Sequence, residues 1–317
     1  MAAGIEVIVP PTKPSLRSRL KHSWYGIESI EGILFALPAL LGLLIFTLGP
    51  VVVSLAMSFS EYNIITPATF IGLDNYVTAF TDDELFYQAL KVTLYYTCTT
   101  VPLNLFSGFM VAVLMNQDVK GISFYRTIWY MPAIVPAVAS AVLWQWIFNP
   151  DFGLMNLLLG KIGIVGPRWF IKPSTAIPGL IIMSLWGMGG SMLIYLGGLQ
   201  GIPAHLYEAV DIDGGGVWAK FRHVTVPMMT PTIFFNLIMG IISTFQVFTQ
   251  AFVMTQGGPA YATYFYVLHL YKNAFQYLRM GYASALAWIL MIMILALTLG
   301  VFRSSGWVYY EGMEASR

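Results

Sequence analysis

The residues best able to do chemistry stand together in one short stretch. Between Leu206 and Met229 lie Glu208, Asp211, Asp213, Lys220, Arg222 and His223, with apolar runs on both sides. Charges exposed on such a turn can anchor to lipid headgroups, or they can make charge-assisted contacts with a protein partner. Metal and disulfide chemistry find no support elsewhere. The four histidines form no H-E-x-x-H, and the single cysteine, Cys98, lies inside an apolar run.

The elements that must position this segment are set by composition. The 317 residues are 57% hydrophobic and 10% charged, and the mean hydropathy is +0.71. A soluble domain carries about 25% charged residues, so the chain falls in the membrane class. Its net charge of +1 argues against a nucleic-acid partner. A crossing helix needs about 20 apolar residues. Six stretches qualify: 32–59, 88–115, 127–148, 176–199, 229–254 and 283–302. Residues 1–31 are polar and carry Arg17, Arg19 and Lys21. The apolar run after them is too long for a signal-peptide core, so it reads as a retained first span behind a basic cytoplasmic leader. With the N-terminus inside, ten Lys and Arg fall in inner segments and six in outer ones, the expected direction of bias. The expected fold class is therefore all-α and polytopic: a leader over 1–31, a six-span domain over 32–302 with a cytoplasmic loop at 200–228, and a cytoplasmic tail over 303–317.

Within that loop, Pro203 suits the first turn of a helix, where its missing N–H costs nothing. Leu206, Ala209 and Val210 share a face by spacing, with Glu208 and Asp211 mostly on another. Gly214–Gly215–Gly216 ends the helix. A second short helix follows, with Trp218, Phe221 and Val224 spaced by three, and Pro227 begins the next span. The spacing predicts a helix–turn–helix lying across the cytoplasmic end of the bundle, its apolar side against protein and its tip exposed.

This segment resembles the EAA loop of ABC-importer membrane subunits, in which Glu-Ala-Ala is followed by three residues, Gly, nine residues and Ile-x-Leu-Pro. Glu208, Ala209, Val210, Gly214, Val224, Val226 and Pro227 fall at those positions, with valine at three of them. Asp211–Gly214 and Trp218…Phe221–Arg222 resemble the carbohydrate-importer branch. So do Gly72–Tyr76, Arg126–Pro132, Trp144–Phe148 and Thr255–Pro259. The resemblance covers most of the chain and implies one membrane subunit, of the type I importer fold, of a bacterial or archaeal sugar importer of the maltose-transporter type.

That resemblance implies a site and partners. The chain has no G-x-x-x-x-G-K-[ST]; its Gly160–Lys161 pair is followed by isoleucine. No catalytic residue, metal or cofactor is expected on it, and ATP and Mg belong to two partner ATPase subunits. Glu208, Ala209, Asp211 and Gly214 are the coupling residues, with Glu208 meeting an arginine of the ATPase. A second six-span subunit, usually related but non-identical in this branch, completes the pathway; a homodimer is the alternative. An extracellular or periplasmic solute-binding protein delivers the sugar, and the complex resides in the cell membrane with both termini cytoplasmic.

Polar groups at membrane depth face the bundle interior or a cavity. Gln246, Thr249 and Gln250 share one face by i, i+3, i+4 spacing, beside Phe245. The fourth span adds Trp186 and Tyr195, with Gly187, Gly189 and Gly190 allowing close packing or a break. Amides and hydroxyls hydrogen-bond sugar hydroxyls, and aromatic rings stack on sugar C–H faces, so these residues form the expected pathway. Helix–helix hydrogen bonding is the competing reading for each. His269, Lys272 and Arg279, before the last span, would favour an anionic sugar or serve contact with the binding protein or headgroups. Two other classes compete. In an intramembrane hydrolase, Ser191 would act with His269. In an ion-coupled secondary transporter an ionisable group would lie inside the spans, where only Lys91 comes close.

Overall fold

The computed structural model describes residues 27–309, with side chains from residue 32. Arg17, Arg19 and Lys21 of the leader and residues 310–317 of the tail lie outside the described residues. The chain divides into two compact units, Met1–Ala56 and Met57–Arg317. The first unit contains most of the first span, Gly32–Ser58, with mean hydropathy 2.4. A π-helical stretch, Leu43–Leu48, interrupts it.

The second unit carries the remaining five spans. Glu84–Met115 and Met280–Arg303 are unbroken helices, and three bent pairs each pass as one span. The third span, Ile122–Ile134 with Ala137–Ile147, turns through 99°. Val135 is extended there, at φ −67° and ψ 127°, the conformation that a following proline, here Pro136, imposes. The fourth, Pro173–Trp186 with Gly189–Gln200, bends 45° at Gly187 and Met188. The fifth, Val217–Met228 with Thr230–Phe245, bends 58° at Met229, between Pro227 and Pro231, whose rings cannot continue a helical hydrogen-bond ladder. The six-span architecture expected from the sequence is thus present, with half of the spans broken. The fold is mostly helical; among the described residues one sheet pairs Ser60–Glu61 with Thr69–Phe70 antiparallel.

The fifth span differs most from expectation. A continuous helix over 229–254 is predicted, but the helix stops at Phe245. Residues 246–248 are non-helical, and Ala251–Thr255 is a π-helical turn. Ser243 Oγ donates to Gly240 O at 3.1 Å and Thr244 Oγ1 to the same carbonyl at 2.8 Å. Hydroxyls bonded back onto the preceding turn compete with the backbone ladder and bend helices.

Three apolar clusters hold this unit. One surrounds Tyr96, Trp144, Phe148, Trp169 and Phe265. A second joins Phe86, Phe245, Tyr266, Tyr282 and Leu286. A third packs Phe109, Met115, Met192, Tyr195 and Met229. Glycine brings backbones close where it matters: a Cβ on Gly189 would run into the Trp129 carbonyl and the Tyr130 Cα of the third span.

The two ends of this unit have distinct structures. At one, residues 255–282 form a cap. Thr255 Oγ1 and Thr263 Oγ1 lie 2.6 Å apart across the Gly257–Gly258 turn. The helix Tyr266–Tyr271 is tied to the second span, since Tyr266 N donates to Thr93 Oγ1 at 3.0 Å and the Tyr96 and Phe265 rings pack edge to face. At the other end lies the Glu208 hairpin.

Candidate functional site

The hairpin begins with the helix Ala204–Ile212. Pro203 stands just before it, one position earlier than expected, with φ already at −61°. The helix closes as a Schellman motif. Gly214 takes φ +77°, Gly215 N donates to Val210 O at 2.8 Å, and Gly214 N donates to Asp211 O at 3.0 Å. Those are the two bonds that satisfy the last carbonyls when a glycine turns left-handed. Leu206, Tyr207 and Val210 are half-buried, whereas Glu208, Ala209, Asp211, Asp213 and Gly214 are exposed. Ala209 therefore lies with Glu208 on the outer face rather than with Leu206 and Val210.

The second arm is not a separate short helix. Val217–Lys220 runs through a π-helical turn, Phe221–Thr225, into the bent fifth span. Phe221 anchors it, 6.1 Å from the Phe109 ring of the second span. Tyr207 and Thr225 hydroxyls at 3.2 Å tie the arms together. Trp218 stacks on Phe221 but is 71% exposed, so it does not face protein as its spacing suggested. With Ile212 at 86% and Val217 at 85%, it gives the tip an apolar surface beside Glu208. Asp211 and Lys220 pair at 2.6 Å; Glu208 makes no ion pair among the described residues.

In the middle of the bundle, two adjoining cavities of about 390 and 300 Å³ share Asn104, Gly187, Ser243 and Thr244 in their walls. The larger is also lined by Tyr96, Thr100, Ser140, Ser184, Trp186 and Gln250. Asn104 Nδ2 donates to Ser184 Oγ at 3.1 Å, bridging the second and fourth spans. Trp186 stands edge to face with Trp144, centroids 5.9 Å apart. No Asp, Glu, Lys, Arg or His lines either cavity. The walls thus offer hydroxyls, amides and an indole, a set suited to hydrogen bonding and stacking with a polyhydroxylated ligand.

The expected pathway residues separate. Gln250 and Trp186 line the cavity. Gln246 lines a different groove, between the fifth and sixth spans, and Thr249 lines neither. The break after Phe245 removes the common helix face their spacing implied. Phe245 is buried in the core around Phe86 and Tyr266. Tyr195 is fully buried against Phe109 and Met192 and reaches only an apolar groove near the hairpin. Sequence reasoning missed Tyr96, Thr100 and Asn104 on the second span. Their i, i+4, i+8 spacing is a polar stripe on an apolar helix, a signal that was present.

The competing sites do not assemble. Ser191 Oγ donates to Met188 O at 2.8 Å, while His269 bonds Asp83, and no hydrogen bond joins Ser191 to His269. Lys91 is exposed. Lys272 donates to Gln256 O at 3.2 Å, and Arg279 lies over the Tyr282 ring at 4.6 Å. His269 is only 2% exposed, so these three cations do not form one open anion-binding patch.

Comparison with known proteins is consistent with this geometry. The family described as binding-protein-dependent transport system inner membrane component matches residues 104–309. The chain is 42% identical over 292 residues to the probable ABC transporter permease protein YesP of Bacillus subtilis, covering 90% of this chain and 94% of that one. It is 31% identical over 290 residues to the trehalose/maltose transport system permease protein MalF of Thermococcus litoralis, covering 90% and 95%. Its fold matches a chain of a bacterial alginate ABC transporter, solved in complex with alginate pentasaccharide-bound periplasmic protein. The TM-score is 0.77 at 24% identity, over 92% of this chain and 97% of that one. With the six-span fold, the polar cavity and the exposed hairpin in place, the chain belongs to the family of binding-protein-dependent transport system inner membrane components.

Proposed function

We propose that the chain is one membrane subunit of an ATP-driven importer that translocates a sugar or oligosaccharide. The observation that carries this reading is the charge-free, hydroxyl- and amide-lined cavity at mid-bundle, above a hairpin whose outer face is exposed. Relatives that carry sugars, among them a trehalose/maltose permease, support the substrate class. The sugar arrives on an extracellular solute-binding protein, and a second, non-identical six-span subunit supplies the other wall. In this reading the hairpin end is cytoplasmic, as are both termini, with a leader over 1–31 before the six-span domain and a tail over 303–317 after it. Two separate ATPase subunits hold ATP and Mg. One docks on Glu208, Ala209, Asp211 and Gly214, with the apolar tip of Ile212, Val217 and Trp218 entering its groove and Glu208 pairing with a cation there. The chain itself is not an enzyme.

Co-purification tests the docking. A tagged wild-type chain retains its ATPase. Glu208→Lys opposes the partner cation, and Gly214→Pro forces φ near −65° where the turn needs +77°. Both variants should lose the ATPase while keeping the second membrane subunit. Full retention of the ATPase by both would remove the hairpin from the coupling role.

A further inference from the structure

The loop between the third and fourth spans turns apolar side chains outward and fixes them there. It lies at the cap end, outer in the orientation proposed above, since Gln145 Nε2 near the end of the third span donates to Met254 O at 2.9 Å. Within it the helix Leu154–Lys161 packs Met155 and Leu159 onto the core around Trp144 and Phe148. Asn156 ties the loop together. Its Nδ2 donates to Pro150 O at 3.0 Å and to Pro167 O at 3.2 Å, and its Oδ1 accepts from Trp169 Nε1 at 2.8 Å. The opposite face is exposed: Leu154, Leu157, Leu158 and Ile162 share it at i, i+3, i+4 and i+8. Ile164 and Val165 follow, and Val165 is 94% exposed.

Exposed apolar patches of this kind mark a protein or membrane contact, and the flanking residues select between the two. Lys161, Arg168 and Lys172 are exposed in the same loop, make no ion pair among the described residues, and stand against one acid, Asp151. Trp146, 67% exposed at the end of the third span, has its ring 6.4 Å from that of Phe152. The exposed face therefore runs on from span to loop through a tryptophan, the residue that meets headgroups at a membrane surface. A binding protein that docks and leaves would return these aliphatic side chains to water in every cycle. Lipid covers them throughout, and anionic headgroups supply the partners that the three cations lack within the chain. We propose that residues 152–172 form an interfacial anchor: the Leu154–Ile162 face sinks into the outer leaflet, and Lys161, Arg168 and Lys172 hold anionic lipid headgroups.

A nitroxide on Val165→Cys tests it. The variant is made in a complex otherwise free of cysteine, spin-labelled, and reconstituted into liposomes of phosphatidylcholine with or without phosphatidylglycerol. Power saturation then compares collisions with oxygen, which concentrates in the bilayer, and with a water-soluble nickel chelate. The label should favour oxygen, at a depth of about 5–10 Å into the headgroup and acyl boundary, and should lie deeper when phosphatidylglycerol is present. Lys161→Gln, Arg168→Gln and Lys172→Gln together should abolish that added depth. A label that meets the nickel chelate freely in both liposomes would overturn the proposal. So would one shielded from both reagents, which marks a protein cover, or one shielded only once sugar-loaded binding protein is added, which marks a docking site for that protein. A phosphatidylglycerol effect unchanged in the triple variant would overturn it as well. None of these outcomes depends on the solute carried, so the importer reading stands or falls separately.

Discussion

His269 and Asp83 join two distant parts of the chain at the cap end, with Nε2 of the imidazole 3.0 Å from Oδ2 of the carboxylate. Asp83 also caps the second span, accepting from Phe86 N at 3.1 Å, and accepts from the Tyr282 hydroxyl at 2.6 Å. The Tyr264 hydroxyl lies 3.3 Å from His269 Nδ1. A neutral imidazole with its proton on Nε2 donates to Asp83 and accepts from the Tyr264 hydroxyl.

A pH dependence follows. Burial lowers the His269 pKa from its ordinary 6.5, and the Asp83 charge and hydrogen bond offset this only in part, with Arg279 and Lys272 lowering it further. The unfolded chain therefore binds the proton first as pH falls. Stability from neutral His269 is fully present above pH 6.5 and is lost as pH drops from there towards the lower folded value. Thermal midpoints of the purified protein in detergent should be level above that pH and fall below it. His269→Gln should flatten this acid-side slope. An unchanged slope in the variant would assign the acid sensitivity elsewhere.

Gly189 and Gly190 make a paired test of packing. A Cβ at Gly189 collides with the third-span backbone, while one at Gly190 meets nothing within 4 Å. Gly189→Ala should cost about 1–3 kcal/mol, as overpacking does, and Gly190→Ala should be close to neutral. Thermal midpoints of the two variants compare them directly, and equal behaviour would contradict the close approach of the third and fourth spans.

The cavity makes a prediction about affinity. Tyr96→Phe, Asn104→Ala and Gln250→Ala each remove a polar group from its wall. Each should weaken sugar uptake by a few-fold to about tenfold, the worth of a net hydrogen bond of roughly 0.5–1.5 kcal/mol, with assembly intact. Gln246→Ala should leave the apparent affinity of correctly assembled complex unchanged. Concentration-dependent uptake of radiolabelled sugar reads both. Loss of affinity in Gln246→Ala with none in Gln250→Ala would move the path to the groove beside the sixth span.

Orientation is open to labelling in a Cys98→Ser background. Asp82→Cys, at the exposed start of the second span, should react with an impermeant maleimide in intact cells. Val217→Cys, 85% exposed on the hairpin, should react only after permeabilisation. The reverse pattern would place the hairpin outside.

Much of this molecule was legible from its residues, because membrane spans announce themselves by length and apolarity and a glycine-closed hairpin by its turn. The breaks were harder to read. Pro136 and Pro231 are visible in the sequence, but the end of the fifth helix depends on Ser243 and Thr244 turning back onto Gly240, a choice that spacing alone does not reveal. That break decided the site: it sent Gln250 to the cavity and Gln246 to another groove. Tyr195 and Phe245 read as pathway aromatics, yet their surroundings, Phe109 for one and Phe86 with Tyr266 for the other, come from distant parts of the chain and make them core. The stripe of Tyr96, Thr100 and Asn104 is the opposite case, a simple i, i+4, i+8 periodicity in the sequence whose residues line the cavity.

The central claim is that ATP hydrolysed on a separate subunit moves sugar through this chain by way of the Glu208 hairpin. Proteoliposomes holding the complete complex, with sugar-loaded binding protein outside, measure it most directly. Sugar accumulation should require ATP inside, ignore an imposed ion gradient, and be abolished by Glu208→Lys. Accumulation driven by an ion gradient in ATP-free vesicles, undiminished in Glu208→Lys, would contradict the account.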